Sequence, residues 1–286
     1  MKVNVKKLLI SLAAIMLGSF LISGIIFLAI GGMSSVIINS GRTKTLKVFP
    51  AQDITRININ TVNTDINIIP VDDKNIEVDF YGNITTSLSG KTPQLNAYKE
   101  GGVLNVYIDY PSAVAFDFIN AATLKLDIYI PQEFSGDISA ETISGSFKTG
   151  KFDLENFEFK SISGSLEASS LSASKIKINS TSGKVVLSDV EGGIDISNIS
   201  GNVELILRSI ISDLSIKTIS GRVAVSLPGK SGFNFEFGSI SGSIKNEFGA
   251  QIEFTDGRNI KGKVGNGVNK LTINTTSGEI KIKKGQ

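Results

Sequence analysis

Three observations in the 286-residue sequence predict an all-β fold: a β-solenoid (β-helix) of short rungs of about 19 residues, preceded by one N-terminal transmembrane helix. A tetrapeptide of small-polar, Ile or Thr, Ser and Gly recurs seven times from Thr142 onward. Apolar and polar residues alternate around each copy, which is the period of a strand with one buried face. Residues 8–30 form an uncharged, apolar run.

In chain order, Lys2, Lys6 and Lys7 come first, and no further charge occurs before Arg42. A helix over residues 8–30, rising ~1.5 Å per residue, is about 35 Å long and spans the ~30 Å hydrocarbon core of a bilayer. A cleaved signal has a shorter apolar core, ~7–15 residues, ending at a small-residue site. The segment "AIGGMSS" is a poor site of that kind, so an uncleaved anchor is expected. The positive-inside rule then puts residues 1–7 in the cytoplasm and the C-terminal domain outside, with the lipid bilayer as a partner. Residues 31–45, "GGMSSVIINSGRTKT", read as a spacer.

The region 46–135 carries the strand patterns "ITRININTVNTDINIIP", "NIEVDFYGNI", "VLNVYIDYP" and "TLKLDIYIP", each alternating and ending near Gly or Pro. "KEGG", residues 99–102, fits a hairpin turn. "TVNTDI" at Thr61 has the shape of the later repeat without its glycine, so this region is expected to supply the first rungs of the solenoid or its cap.

Residues 136–286 are expected to be regular repeats. The corner positions are Ser144-Gly145, Ser163-Gly164, Ser182-Gly183, Ser200-Gly201, Ser220-Gly221, Ser241-Gly242 and Ser277-Gly278. Successive glycines are 19, 19, 18, 20, 21 and 36 residues apart, and the last interval reads as two turns with a degenerate copy around Ile260. Each unit is too short to bury its apolar face alone; stacked coils at ~4.8 Å spacing share a core, and about eight make a rod of roughly 35–40 Å. The glycine takes the corner because it accepts a positive φ or a close backbone approach. Parity puts the serines beside it toward the interior, as a hydroxyl ladder for turn backbone groups. Ile143, Ile162, Ile199, Ile219 and Ile240 then point outward by strict alternation, a candidate partner stripe; a bend that rotates them, or a covering strand, makes them core instead.

Composition removes much chemistry. There are no Cys and no His, which excludes disulfides, thiolate nucleophiles, imidazole ligands and any triad with a His base. Without the three N-terminal lysines, 26 basic residues face 27 acidic ones, so no basic surface for nucleic acid is expected. Asp189, Glu191 and Asp195 form the densest acidic group of the repeats, and a solvated turn or a weak Ca²⁺ site fits them. Neither "GKVGNG" nor "SGKT" has the spacing of a nucleotide loop. No catalytic residue, cofactor site or metal site is expected, and the chain is not expected to be an enzyme.

With its anchor and its "T-x-S-G-x-[VI]" copies, above all "INTTSGEIKIKK" near the end, the chain resembles the bacterial putative-adhesin domain family over about residues 54–283. That family is a domain of unknown function built from β-strand repeats, often membrane-tethered, with some members linked to envelope-stress signalling. The resemblance implies a bacterial cell-membrane location and an envelope scaffold, binding or stress-sensing role, with a membrane protein or cell-wall polymer as partner. A surface adhesin and a glycan-active β-helix enzyme are the alternatives.

Overall fold

The computed structural model describes residues 39–86, 92–110, 123–256 and 258–285. The anchor expected over residues 8–30 lies outside them. Among the described residues no helix is long and apolar enough to cross a membrane.

The repeating unit is a pair of short strands joined at a glycine. In β8 (Asp137–Ser144) the buried positions are Ile138, Ala140 and Thr142; after Gly145, β9 (Ser146–Thr149) buries Phe147 and Thr149. One such pair leaves its apolar face open, and the next covers it. The following coils are β10 (Phe152–Ser161) with β11 (Ser165–Ser169), then β12 (Leu171–Ser182) with the first part of β13 (Val185–Ser200). The rest of β13 forms the next coil with β14 (Val203–Leu207), and β15 (Leu214–Ser220) forms one with β16 (Val223–Pro228).

All these coils stack in parallel, forming two layers that face each other across the core. In the first layer Ile138, Phe157, Ile176, Ile194 and Leu214 are in register, and in the second Phe147, Leu166, Val185, Val203 and Val223. Every one of these side chains is buried. At ~25 cal/mol per Å² of apolar area, such columns are the main source of stability. Backbone hydrogen bonds between coils complete the ladder.

The N-terminal region supplies both rungs and cap. β2 (Arg56–Asn63) and β3 (Asp65–Val71) make a coil in register with β8 and β9, with Thr61 opposite Thr142 and Asn63 opposite Ser144. β6 (Val103–Asp109) and β7 (Thr123–Pro131) form the coil beyond it, so order in space is not order in sequence. Antiparallel strands close this end: β5 (Gln94–Glu100) on β6, β4 (Asn75–Thr86) on β7, and β1 (Asn39–Pro50) on β4. The expected KEGG turn is the β5–β6 connection, with Gly101 at φ 57°. Strand β1 starts at Asn39, so residues 39–45 of the expected spacer are already sheet.

The other end departs from a regular repeat. β17 (Phe233–Asn246) is followed by an antiparallel hairpin, β18 (Gln251–Thr255) and β19 (Asn259–Val264). The stretch around Ile260 is therefore a hairpin strand and not a degenerate coil. β20 (Lys270–Gly285) then runs back between β15/β16 and β17, parallel to both neighbours. Nine coils result among the described residues, and at ~4.8 Å each the rod is about 38 Å long.

Candidate functional site

The edge where the two layers meet is built from four columns of equivalent residues, one from each coil. The glycine column comes first. A Cβ on Gly164, Gly183, Gly201 or Gly221 would fall under 2.5 Å from the carbonyl oxygen of the preceding coil's glycine; Gly278 stands in the same way against Gly221, and Gly242 against Gly278. The column thus follows the spatial order and passes through β20 before β17. Gly145, Gly183, Gly201, Gly221 and Gly278 also have positive φ, between 121° and 157°. In the β2/β3 coil Thr64 holds the equivalent place, with its carbonyl toward Gly145.

Three residues before each glycine a small polar side chain is buried: Thr61, Thr142, Ser161, Ser180, Asn198, Thr218, Ser239 and Thr275. This is the true inner ladder. Thr61 Oγ1 donates to Thr142 Oγ1 at 3.0 Å, Thr142 Oγ1 to the Ser144 carbonyl at 2.9 Å, and Thr218 Oγ1 to the Ser220 carbonyl at 3.2 Å. The Gly164 amide donates to Ser161 Oγ at 2.5 Å, and Asn198 Nδ2 to the Gly183 carbonyl at 3.3 Å. These side chains meet the backbone groups that the bend takes out of the sheet. Ser180 Oγ, Asn198 Oδ1, Ser239 Oγ and Thr275 Oγ1 are buried without a hydrogen-bond partner among the described residues.

The corner serines do not have the interior position that parity gave them. Ser163, Ser182, Ser200, Ser220, Ser241 and Ser277 are exposed, and Ser144 is half-buried with its Oγ bonded to Asn63 Oδ1 at 3.2 Å. The bend begins before the glycine. Between buried Asn198 and buried Val203, residues 199–202 all lie on the outside of the turn, so strict alternation fails one residue earlier than expected. The bend also leaves the isoleucines outside. Ile143, Ile162, Ile199, Ile219 and Ile240 are 47%, 52%, 49%, 53% and 64% exposed, and Val62 continues the line. Neither the turn nor another strand covers them.

Two residues before the stripe runs a second outward column: Asn60, Glu141, Lys160, Asn179, Ser197 and Lys217. Between this column and the stripe lies a groove of about 660 Å³ that crosses six coils, from Thr61 to Thr218. One wall is aliphatic and the other is polar. This is a shape that holds an extended ligand by contact rather than by chemistry.

The acidic group of the repeats is not brought together as a metal site. Arg208 Nε and Nη2 lie 3.0 and 2.9 Å from the two Asp189 carboxylate oxygens, Arg208 Nη1 is 3.6 Å from Glu191, and Ser209 Oγ bonds Glu191 at 2.7 Å. The Arg208 hydrogen bonds, then that from Ser170, hold the Asp189 carboxyl below its usual range. Asp195 lies apart on β13, opposite Lys177 and Ser215. Among the described residues no group of three or more acids is placed to hold a metal. "GKVGNG" is the end of β19 and its turn.

A polar cluster that the sequence gave no reason to expect sits on the outer face of the second layer. Asp127, almost fully buried, accepts from Asn67 Nδ2 at 2.6 Å and from the Tyr81 hydroxyl at 2.8 Å. The hydrogen bond to Asp127, followed by burial, pushes the Tyr81 phenol up to about 12. Its three members come from β3, β7 and β4, far apart in sequence and joined only by register.

No curated protein is significantly similar in sequence to the chain. Several solved structures align with it over most of their length. A putative cell adhesion protein from Clostridium sporogenes is 17% identical, with 86% of this chain and 100% of that one covered at a TM-score of 0.42. A putative adhesin from Bacteroides fragilis is 10% identical, with 84% and 97% covered at 0.45. A putative lipid binding protein from Parabacteroides distasonis is 14% identical, with 85% and 97% covered at 0.35. The family model described as Toastrack DUF4097 matches residues 54–283, from the buried Ile54 before β2 to Lys283 near the end of β20, and the chain belongs to that family.

Proposed function

We propose that this chain is a non-catalytic, membrane-anchored binding module of the bacterial envelope, held outside the cell by residues 8–30. It acts as a scaffold or stress-sensing element whose docking face is the isoleucine stripe with its groove. One observation carries the reading: five isoleucines on one line, with Thr181 and Thr276 among them, are about half exposed or more, whereas Ile216, three residues before Ile219 on the same strand, is fully buried. An exposed line of β-branched side chains of this kind marks an interaction site. The ligand is a protein segment or an extended wall polymer, since the groove is long, shallow and without a convergent set of polar groups. Asp189 and Glu191, the acids nearest to an enzymatic or calcium reading, are engaged by Arg208.

A rod of about 38 Å keeps its binding face near the membrane, which favours an envelope partner over a distant surface and weighs against a long-range adhesin. Fractionation of cells making the full-length chain tests the anchored half of the reading. The chain should stay with membranes through a carbonate wash and be cut by protease added outside the cell. Release by carbonate, or protection from outside protease, would overturn it.

A further inference from the structure

We infer that the isoleucine stripe is a self-association surface, on which a second copy of this chain packs face to face with its rod antiparallel and the two-fold axis passing through Thr181. The inference deepens the proposed docking face by naming its occupant.

Over its five central coils, between Val62 at one end and Thr276 and Ile240 at the other, the stripe reads the same in both directions. Across five coils in spatial order it is Ile143, Ile162, Thr181, Ile199, Ile219. A dyad at Thr181 sets Ile143 against Ile219 of the second copy and Ile162 against its Ile199, with Thr181 against itself. Thr181 belongs to the fifth of nine coils, so the same operation superimposes the whole length of the rod.

Charge in the adjoining column follows the same symmetry. Glu141 stands beside Ile143 and Lys217 beside Ile219, so the dyad brings Glu141 of each copy to Lys217 of the other. Both side chains are exposed, and neither has an ion-pair partner among the described residues, whereas Lys160 in the same column is already paired with Glu158. A parallel two-fold would carry this column to the other side of the partner's stripe, so the match of Glu141 with Lys217 would be lost.

The position where the chain enters the domain makes a third argument. Asp65 begins β3 at the corner; Lys125 of β7 lies opposite Asp65, Thr123 opposite Asn83 of β4, and Thr86 opposite Asn39 of β1. Asn39 therefore projects five residues past the corner, about 17 Å at ~3.3 Å per residue. Of the two face-to-face dimers, the antiparallel one keeps both corner edges pointing the same way, so both N-terminal segments leave on one side and reach one membrane. The parallel one turns them to opposite sides. This argument rests on the anchored reading; the palindrome and the charges do not.

A contact nine coils long and two side-chain columns wide covers on the order of 500 Å² per copy, below the ~800 Å² per partner of a standard stable interface. The dimer is therefore weak in free solution, and tethering to a shared membrane supplies the effective concentration that holds it.

The chain has no cysteine, so single introduced cysteines report the geometry directly. The experiment uses full-length protein in native membranes, treated with copper-phenanthroline or a short bismaleimide. Thr181→Cys alone should give a covalent dimer. Ile143→Cys alone should not, while coexpressed Ile143→Cys and Ile219→Cys should. Adding Ile199→Asp to Thr181→Cys should lower the dimer yield at least tenfold. Cross-linking of Ile143→Cys to itself would overturn the antiparallel arrangement, and no dimer from Thr181→Cys in membrane-bound, folded protein would overturn self-association. The protein in that second case stays anchored with its stripe free for another ligand, so failure here is distinct from failure of the proposed function.

Discussion

Replacing Gly221 by alanine puts a methyl carbon 2.1 Å from the carbonyl oxygen of Gly201, and one of the two coils has to retreat by about 0.9 Å to reach the 3.0 Å that real contacts keep. The corner bonds on either side, Gly201 N to the Ser220 carbonyl at 3.2 Å and Gly221 N to the Ser277 carbonyl at 3.3 Å, are already long. A shift of that size breaks at least one of them, at about 1 kcal/mol. The backbone adds strain, because φ at Gly221 is +126° and an L side chain there costs about 1–3 kcal/mol. The expected loss is about 3 kcal/mol, read from urea unfolding of the domain. Two comparison variants separate the causes. Gly164→Ala meets the Gly145 carbonyl at 2.4 Å without a positive φ and should lose the contact part alone, about 1–2 kcal/mol. Gly101→Ala, with φ +57° and nothing within 4 Å, should lose only the conformational part, about 1 kcal/mol. If Gly221→Ala falls within 0.5 kcal/mol of Gly101→Ala, the coils do not press on one another at the corner and the reasoning is wrong.

Further outcomes follow from the same columns. Ile219→Asp should change stability by no more than ~0.5 kcal/mol, as at an exposed site, whereas Ile216→Asp on the same strand buries an unpaired charge and should prevent folding; circular dichroism of the two variants decides it. Ser180→Ala removes a buried hydroxyl that has no partner and should be neutral or slightly stabilising, while Thr142→Val breaks two hydrogen bonds and should cost about 1–2 kcal/mol in the same unfolding assay. The Tyr81 phenol, raised by its bond to Asp127, contributes stability that is fully present below the unfolded value near 10 and lost as pH rises through about 12. Tyrosinate absorbance at 295 nm should therefore show Tyr81 titrating late, beside Tyr129, whose phenol burial also raises, and Asp127→Asn should move the late part of the curve to lower pH; an unchanged titration curve would refute the assignment.

The sequence carried the parts of this fold that are local. Alternation such as Val203/Leu205 or Ile194/Ile196 reports which face is buried, and a recurring glycine reports a corner, because both depend on neighbours a few residues away. Coil order was not legible. "TTSGEI" at Thr275 has the same local pattern whether it follows "SISGSI" at Ser239 in space or precedes it, and only the β18–β19 hairpin decides that β20 returns to the inner place. β1 escaped notice because its half-buried face is Thr43, Thr45, Lys47 and Phe49, while Leu46 and Val48 lie outside, the reverse of an ordinary strand pattern. The direction of Ser200 and Ile199 depended on where the bend starts, a matter of one residue. Parity put the stripe outside but could not exclude the rotation that would have buried it. The Asp127 cluster has no sequence signature at all, since its three members meet only through the register of β3, β7 and β4.

The most direct test of the account is site-specific photo-crosslinking in living cells of the full-length chain. Probes replace Ile162, Ile199, Ile219 and Ile240 on the stripe, with Lys148 and Glu204, exposed on the opposite layer, as controls. The account predicts discrete adducts, to a second copy or to an envelope component, from the stripe positions and not from the controls. Adducts of equal yield from both layers, or none from the stripe, would contradict the claim that this edge is the working face of the molecule.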